Sequence, residues 1–210
     1  MKLKKTFLNK RGLKMEVVKY PHPVLRMVCR PLRKVDAELK AMILEMFPLM
    51  YASKGVGLAA NQVGLPYRFF IMNPTGDENR KDQEYVFINP EITLGAGKPE
   101  EDDEGCLSFP KIYAAVKRAP KVTITGFNLD GEPVKKVFKG FPARIVQHEF
   151  DHLNGISFVN RLSEQEADYV EDDVDRLVRN FRKEQETSES MTNEAIQKQI
   201  DELLALRAVV

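Results

Sequence analysis

At 210 residues, 43% hydrophobic and 30% charged, the chain is long enough for one globular domain with an extension and apolar enough to bury a core. A formal net charge of +1 gives no electrostatic case for DNA or an acidic partner, and no apolar run approaches the ~18 residues that a membrane span needs. Two cysteines, Cys29 and Cys106, are too few for a disulfide framework, so the expected compartment is a reducing one, the cytoplasm.

Residues 1–14 carry Lys2, Lys4, Lys5, Lys10, Arg11 and Lys14 with no acid and no apolar signal core, and they read as a disordered basic arm. Met15 to Lys19 reads as a short strand. The prolines of Pro21-His22-Pro23 then predict an extended path that bars a helix, with His22 a solvated loop histidine. Asp36 is a candidate N-cap for a helix whose stripe is Leu39, Ile43, Met46, Phe47 and Met50, and Pro48 should kink or end it early. Gly55 to Gly64 is so rich in glycine and alanine that a ligand or a second backbone can approach closely. Gln62 is its only long polar side chain able both to donate and to accept.

Strands are expected at Tyr67–Met72, Tyr85–Ile88 and Ile92–Leu94, and the acidic run Glu100–Glu104 reads as a solvated turn. Lys121–Phe127 and Val134–Phe138 alternate as strands about the hairpin signal Asp130-Gly131. Pro142 suits the first turn of a helix that Asn154-Gly155 ends. Ser163 to Glu166 forms a capping box before the stripe Ala167, Val170, Val174, Leu177, Val178 and Phe181. After a polar linker at 186–190, Ile196, Ile200, Leu203 and Leu204 line one face of a last helix.

The chemistry concentrates in Gln147-His148-Glu149-Phe150-Asp151-His152. Two of the chain's three histidines stand four residues apart, so on a helix both imidazoles reach one cation, and Glu149 is placed to touch a bound water. A hydrolytic metal site needs a third protein ligand and one open position. Glu171, Asp172 and Asp173 stand at metallopeptidase spacing, and Cys106 competes with them as a softer donor. From the residues alone a metal endopeptidase, a non-catalytic closed metal site and a partly exposed amphipathic helix that happens to carry two histidines all remain open.

Gly55-Val56-Gly57-Leu58-Ala59-Ala60-Asn61-Gln62, Glu104-Gly105-Cys106-Leu107-Ser108 and Gln147-His148-Glu149-Phe150-Asp151-His152 resemble, in order and spacing, the three motifs of the peptide deformylases, and Pro21 to Arg26 resembles that family's opening. The similarity spans 15–162. It implies an α+β fold, with antiparallel sheets wrapped around a central metal-binding helix and a catalytic domain at 15–162; the capping box and apolar stripes that follow read as a C-terminal helical extension at 163–210. The resemblance further implies that Cys106, His148 and His152 hold one divalent ion, Fe2+ first, with Ni2+, Co2+ or Zn2+ as substitutes. The implied reaction is attack of metal-generated hydroxide on the formyl carbon of N-formylmethionyl nascent peptides, with Glu149 as general base and acid. Gln62 and the backbone N–H of Leu107 would serve the oxyanion. Backbone at Val56, Gly57 and Gly105 would pair with an extended substrate. Val56, Phe141, Ile145 and the stem of Arg144 would line the methionine pocket, and Glu104 with Arg118 would form a supporting ion pair behind the site. Transient ribosome contact is expected of the family. The apolar strip of the last helix predicts packing either on the catalytic body or on a second copy, a homodimer through the C-terminal helices.

Overall fold

A computed structural model of the chain describes residues 15–209; the basic arm expected at 1–14 lies outside them. The regular elements run α1 (Ala37–Ala52), β1 (Gly57–Ala59), β2 (Phe69–Met72), β3 (Tyr85–Leu94), β4 (Glu100–Cys106), β5 (Phe109–Arg118), β6 (Lys121–Phe127), β7 (Pro133–Lys139), α2 (Phe141–Leu153), α3 (Glu164–Thr187) and α4 (Asn193–Arg207). One antiparallel sheet has the order β1-β2-β3-β6-β7, and β4 pairs with β5 in a second. Helix α2 packs on β1, β2, β6 and β7 and reaches β4 and β5 through its side chains, so the fold is α+β about a central helix.

Helix α1 begins where Asp36 Oδ1 accepts from the Leu39 N–H at 2.9 Å, and its five apolar stripe residues are buried. Pro48 does not end it: the helix runs on to Ala52. The carbonyl that Pro48 leaves without a donor belongs to Leu44, which is 53% exposed, so water can satisfy it and the break costs little. The β6–β7 hairpin turns at Gly131 (φ 77°), as the Asp-Gly signal predicts.

Several segments depart from expectation. Residues 15–19 form no ladder; the Val18 N–H goes to the Gln62 carbonyl at 2.9 Å and the Tyr20 N–H to that of Ser108 at 3.0 Å, two different segments. A 3₁₀ turn, Pro23–Arg26, starts where a helical turn seemed barred, because proline is tolerated at a first helical position. The acidic run at 100–104 is strand β4, its charges facing Arg118 and Lys117 across the ladder at Glu100 and Glu101. Strand β5 has no counterpart in the sequence reading, and β3 joins two expected strands across a shift near Asn89. Helix α3 runs on to Thr187, absorbing the first residues of the expected linker.

His22 caps that 3₁₀ turn by accepting from the Val24 N–H at 3.3 Å, and it lies edge-on to Phe181. Burial pushes its pKa down to about 4. A group whose folded pKa lies below its ordinary 6.5 contributes stability above that value and loses it as pH falls from 6.5 to about 4. His22→Asn keeps a capping acceptor without the titration. Its melting temperature should therefore fall less between pH 7 and pH 4.5 than that of the parent chain.

The strip on α4 is used within the chain. Ile196 and Ile200 are buried with Val24, Leu25 and Phe181, while Leu203 packs against the core around α1. Tyr67 donates its hydroxyl to the Leu203 carbonyl at 2.7 Å, and Arg207 grips Asp36 at 2.7 Å and Glu38 at 2.5 Å. A second copy therefore finds no free strip here. A chain ending at Arg182 should melt well below the full chain, since each buried isoleucine carries about 1.5–3 kcal/mol. Differential scanning calorimetry of the two chains, run beside sedimentation, reads this out.

Candidate metal centre

Helix α2 starts after Gly140 (φ 57°), has Pro142 in its first turn, and is buried on almost every side. Its four-residue spacing brings the rings of His148 and His152 to 5.0 Å between centroids. The third member comes from the sheet: β4 ends at Cys106, beyond a register shift at Gly105, and its Sγ lies 3.2 Å from His152 Nε2. One ligand atom from each of Cys106, His148 and His152 lies within 4.8 Å of the others, and all three residues are buried. Glu171 and Asp172 are exposed on α3 and belong to no such cluster among the described residues, so the endopeptidase ligand set is not assembled.

These donors fit a divalent ion. A thiolate and two imidazoles suit a borderline metal, and three protein ligands leave a position for water. His148 Nδ1 lies 2.9 Å from Glu104 Oε2, an arrangement that leaves Nε2 as the donor toward a metal. Burial opposes charge on both rings. At His148, hydrogen bonds with Cys106 and Glu104 outweigh it and hold the pKa well above the ordinary value. At His152, burial and then the charges of His148 and Arg118 hold it well below, so that ring stays a neutral donor.

Glu104 anchors a buried network. Arg118 meets both of its oxygens at 2.9 Å, and Arg144 Nη1 reaches Oε1 at 2.8 Å. Burial works against this carboxylate, but hydrogen bonds from Arg118 and His148 keep its pKa far below the usual range. Arg118 continues to Asp151 at 2.5 Å, which Arg161 holds from the other side at 2.6 Å. The Glu104–Arg118 ion pair thus sits where it was expected. Asp151 was visible within the motif but had no assigned part, and Arg144 supplies a charged head to the network and also lines the cavity described next.

A cavity of 330 Å3 opens on this centre, and Val56, Gly57, Gly105, Phe141, Arg144 and Ile145 all line it, together with Cys106, Leu107, His148 and Glu149. Tyr113, 64% exposed, lines it too, and sequence reading gave no hint of that residue. Gln62 is buried with Oε1 accepting from the Ala59 N–H at 2.8 Å. That bond turns its Nε2 toward Cys106 Sγ at 3.3 Å and Ser108 Oγ at 3.4 Å.

Glu149 lies against Gly57, where a Cβ would land on its carboxylate. Its Oε2 is buried without a hydrogen-bond partner in the described chain, and burial pushes its pKa up to about 7 although the His148 charge pulls the other way. Gly57→Ala must displace this carboxylate. We expect metal content to survive and turnover to fall by about a hundredfold, the scale of a ~1 Å misplacement at a reacting centre; steady-state kinetics with metal analysis checks it.

The sequence model of the polypeptide deformylase family matches residues 14–168. The chain belongs to that family. A peptide deformylase of Rhodopirellula baltica is 44% identical over 181 residues, covering 86% of this chain and 89% of the relative. A peptide deformylase of Aquifex aeolicus is 44% identical over 147 residues, 70% of this chain and 86% of its own. Among solved structures, peptide deformylase 1B of Arabidopsis thaliana in complex with an inhibitor superposes with a TM-score of 0.78 at 38% identity, covering 81% of this chain and 93% of that one. The peptide deformylase of Thermotoga maritima gives 0.66 at 40% identity over 71% of this chain and 97% of its own. The family model's match ends at residue 168, so α4 and most of α3 lie beyond it, although the 181-residue match to the Rhodopirellula baltica relative must run past that point.

Proposed function

We infer that this deformylase removes the formyl group from the N-terminal formylmethionine of nascent polypeptides and releases formate. The observation that carries the reading is the clustering of Cys106, His148 and His152, two of which, Cys106 and His148, line a cavity that Glu149 also lines. Those three residues would hold one divalent ion, whose Lewis acidity makes a water nucleophilic near neutral pH. Ferrous iron is our assignment; nickel, cobalt or zinc would suit the same donors.

Glu149 takes the proton from water and returns it to the leaving amine; a buried carboxyl held near neutrality suits both directions of transfer. The Gln62 amide and the Leu107 N–H serve the developing oxyanion, and the bond from Ala59 supports Gln62 by fixing which end of its amide faces the site. Backbone at Val56, Gly57 and Gly105 pairs with the extended peptide as an added strand, and no side chain at the two glycines stands in its way. Val56, Phe141, Ile145 and the aliphatic stem of Arg144 take the methionine side chain, while the Arg144 head stays on Glu104. For the tail, Arg176, Arg179, Arg182 and Lys183, all exposed near the end of α3, form the surface we assign to transient ribosome contact.

Formate release from formyl-Met-Ala-Ser, measured against the acetyl peptide on protein prepared without oxygen and analysed for metal, tests the reading. The formyl peptide should be cleaved far faster, with about one equivalent of metal bound. Equal kcat/KM for both peptides would remove its basis.

A further inference from the structure

The hairpin that delivers Cys106 closes in two residues, Leu107 and Ser108, between the ladder partners Cys106 and Phe109. Turn residues have no ladder partner, so their carbonyls need partners from elsewhere or the turn is free to rock. Here both are taken, by consecutive residues of one segment. Lys19 Nζ donates to the Leu107 carbonyl at 2.6 Å, and the Tyr20 N–H donates to that of Ser108 at 3.0 Å. The Tyr20 ring then stacks on Phe109 at 4.7 Å between centroids. Two residues before Tyr20, the Val18 N–H holds the Gln62 carbonyl at 2.9 Å. Residues 18–20 therefore touch both polypeptide segments that carry the oxyanion donors, and they make no ladder of their own.

We propose that residues 18–20 are a strap that sets the relative position of the two oxyanion donors, with Lys19 its positioning residue. This rests on the oxyanion reading of Gln62 and Leu107. The Leu107 N–H belongs to one peptide plane and the Leu107 carbonyl to the next, and rotation about the two single bonds at the Cα between them re-aims the donor. An ammonium on that carbonyl fixes the second plane, and a charge-assisted hydrogen bond holds it more firmly than a neutral one. Lys19 is itself exposed, so its removal empties no core. A loss of aim at the donor is felt where charge develops, in the transition state, and leaves ground-state binding of the peptide alone.

The test compares Lys19→Met, which keeps the stem and removes the donor, with Lys19→Arg, which keeps a cationic donor, and with Gln62→Leu. For Lys19→Met we expect kcat to fall about tenfold, short of the roughly hundredfold that follows loss of a whole oxyanion donor, with KM, metal content and melting temperature unchanged. Lys19→Arg should recover most of the rate. If kcat of Lys19→Met is unchanged, if its loss tracks metal or melting temperature, or if arginine fails to rescue, the strap is overturned. If Gln62→Leu also leaves kcat intact, it is the oxyanion reading that fails, and the strap falls with it.

Discussion

Replacing Glu149 by alanine is expected to leave the bound metal in place and to cut formate release by about 10²–10⁴-fold, the range that a positioned acid–base group supplies. The two effects separate because the ligand atoms and the carboxylate occupy different places. Cys106, His148 and His152 converge within 4.8 Å without Glu149, while the Glu149 carboxylate rests against Gly57 with Oε2 unpartnered. Removing it also relieves the cost of a buried carboxyl, so the variant should melt no lower than the parent despite the lost contacts. Metal analysis beside single-turnover kinetics reads both. Loss of the metal would mean that Glu149 helps to hold it, and near-normal turnover would mean that another group carries the proton.

Cys106→Ala is expected to do the reverse, abolishing tight metal binding and with it measurable turnover. The two histidines alone offer two donors on one helix, whereas the thiolate arrives from a different sheet and completes the set. The endopeptidase alternative predicts no effect, since its third ligand would come from α3. There Glu171 and Asp172 are exposed to solvent. Metal stoichiometry after dialysis distinguishes the outcomes directly. Retention of a full equivalent by the alanine variant would require a donor outside the cluster.

The central helix was legible because its signal is local: two histidines at helical spacing, a proline at the start and Asn154-Gly155 at the end. The same holds for α1, whose cap and stripe lie within a few turns of each other. Strand β4 was not, because Glu100 to Asp103 read as solvated charge until Arg118 and Lys117 stand opposite in another strand. Strand β5 does alternate, with Ile112, Ala114, Val116 and Arg118 all buried, but a small residue and a cation on the inward face erase the apolar period. At the site, helical spacing pointed to His148 and His152, and the resemblance of its motif, not spacing, singled out Cys106. The roles of Asp151 and Tyr113 depend on partners 33 residues away or on a cavity wall, which one linear string does not show. Lys19 gave no signal at all, since its partner is a backbone carbonyl 88 residues further on.

Helix α2 places Arg144, Gln147, His148, Glu149, Asp151 and His152 in the interior of a domain whose remaining core is largely aliphatic and aromatic. Such a helix has only one good seat. A displacement of one residue along its axis turns each polar group by about 100°. It would take Arg144 and Asp151 from Glu104 and Arg118 and leave them ionised among apolar neighbours. Stranding one member of a buried pair costs about 3–5 kcal/mol, a large part of the net stability of a domain this size. Near-miss dockings that an all-leucine helix would tolerate are thereby raised out of reach. The residues that make this helix reactive also proofread its assembly.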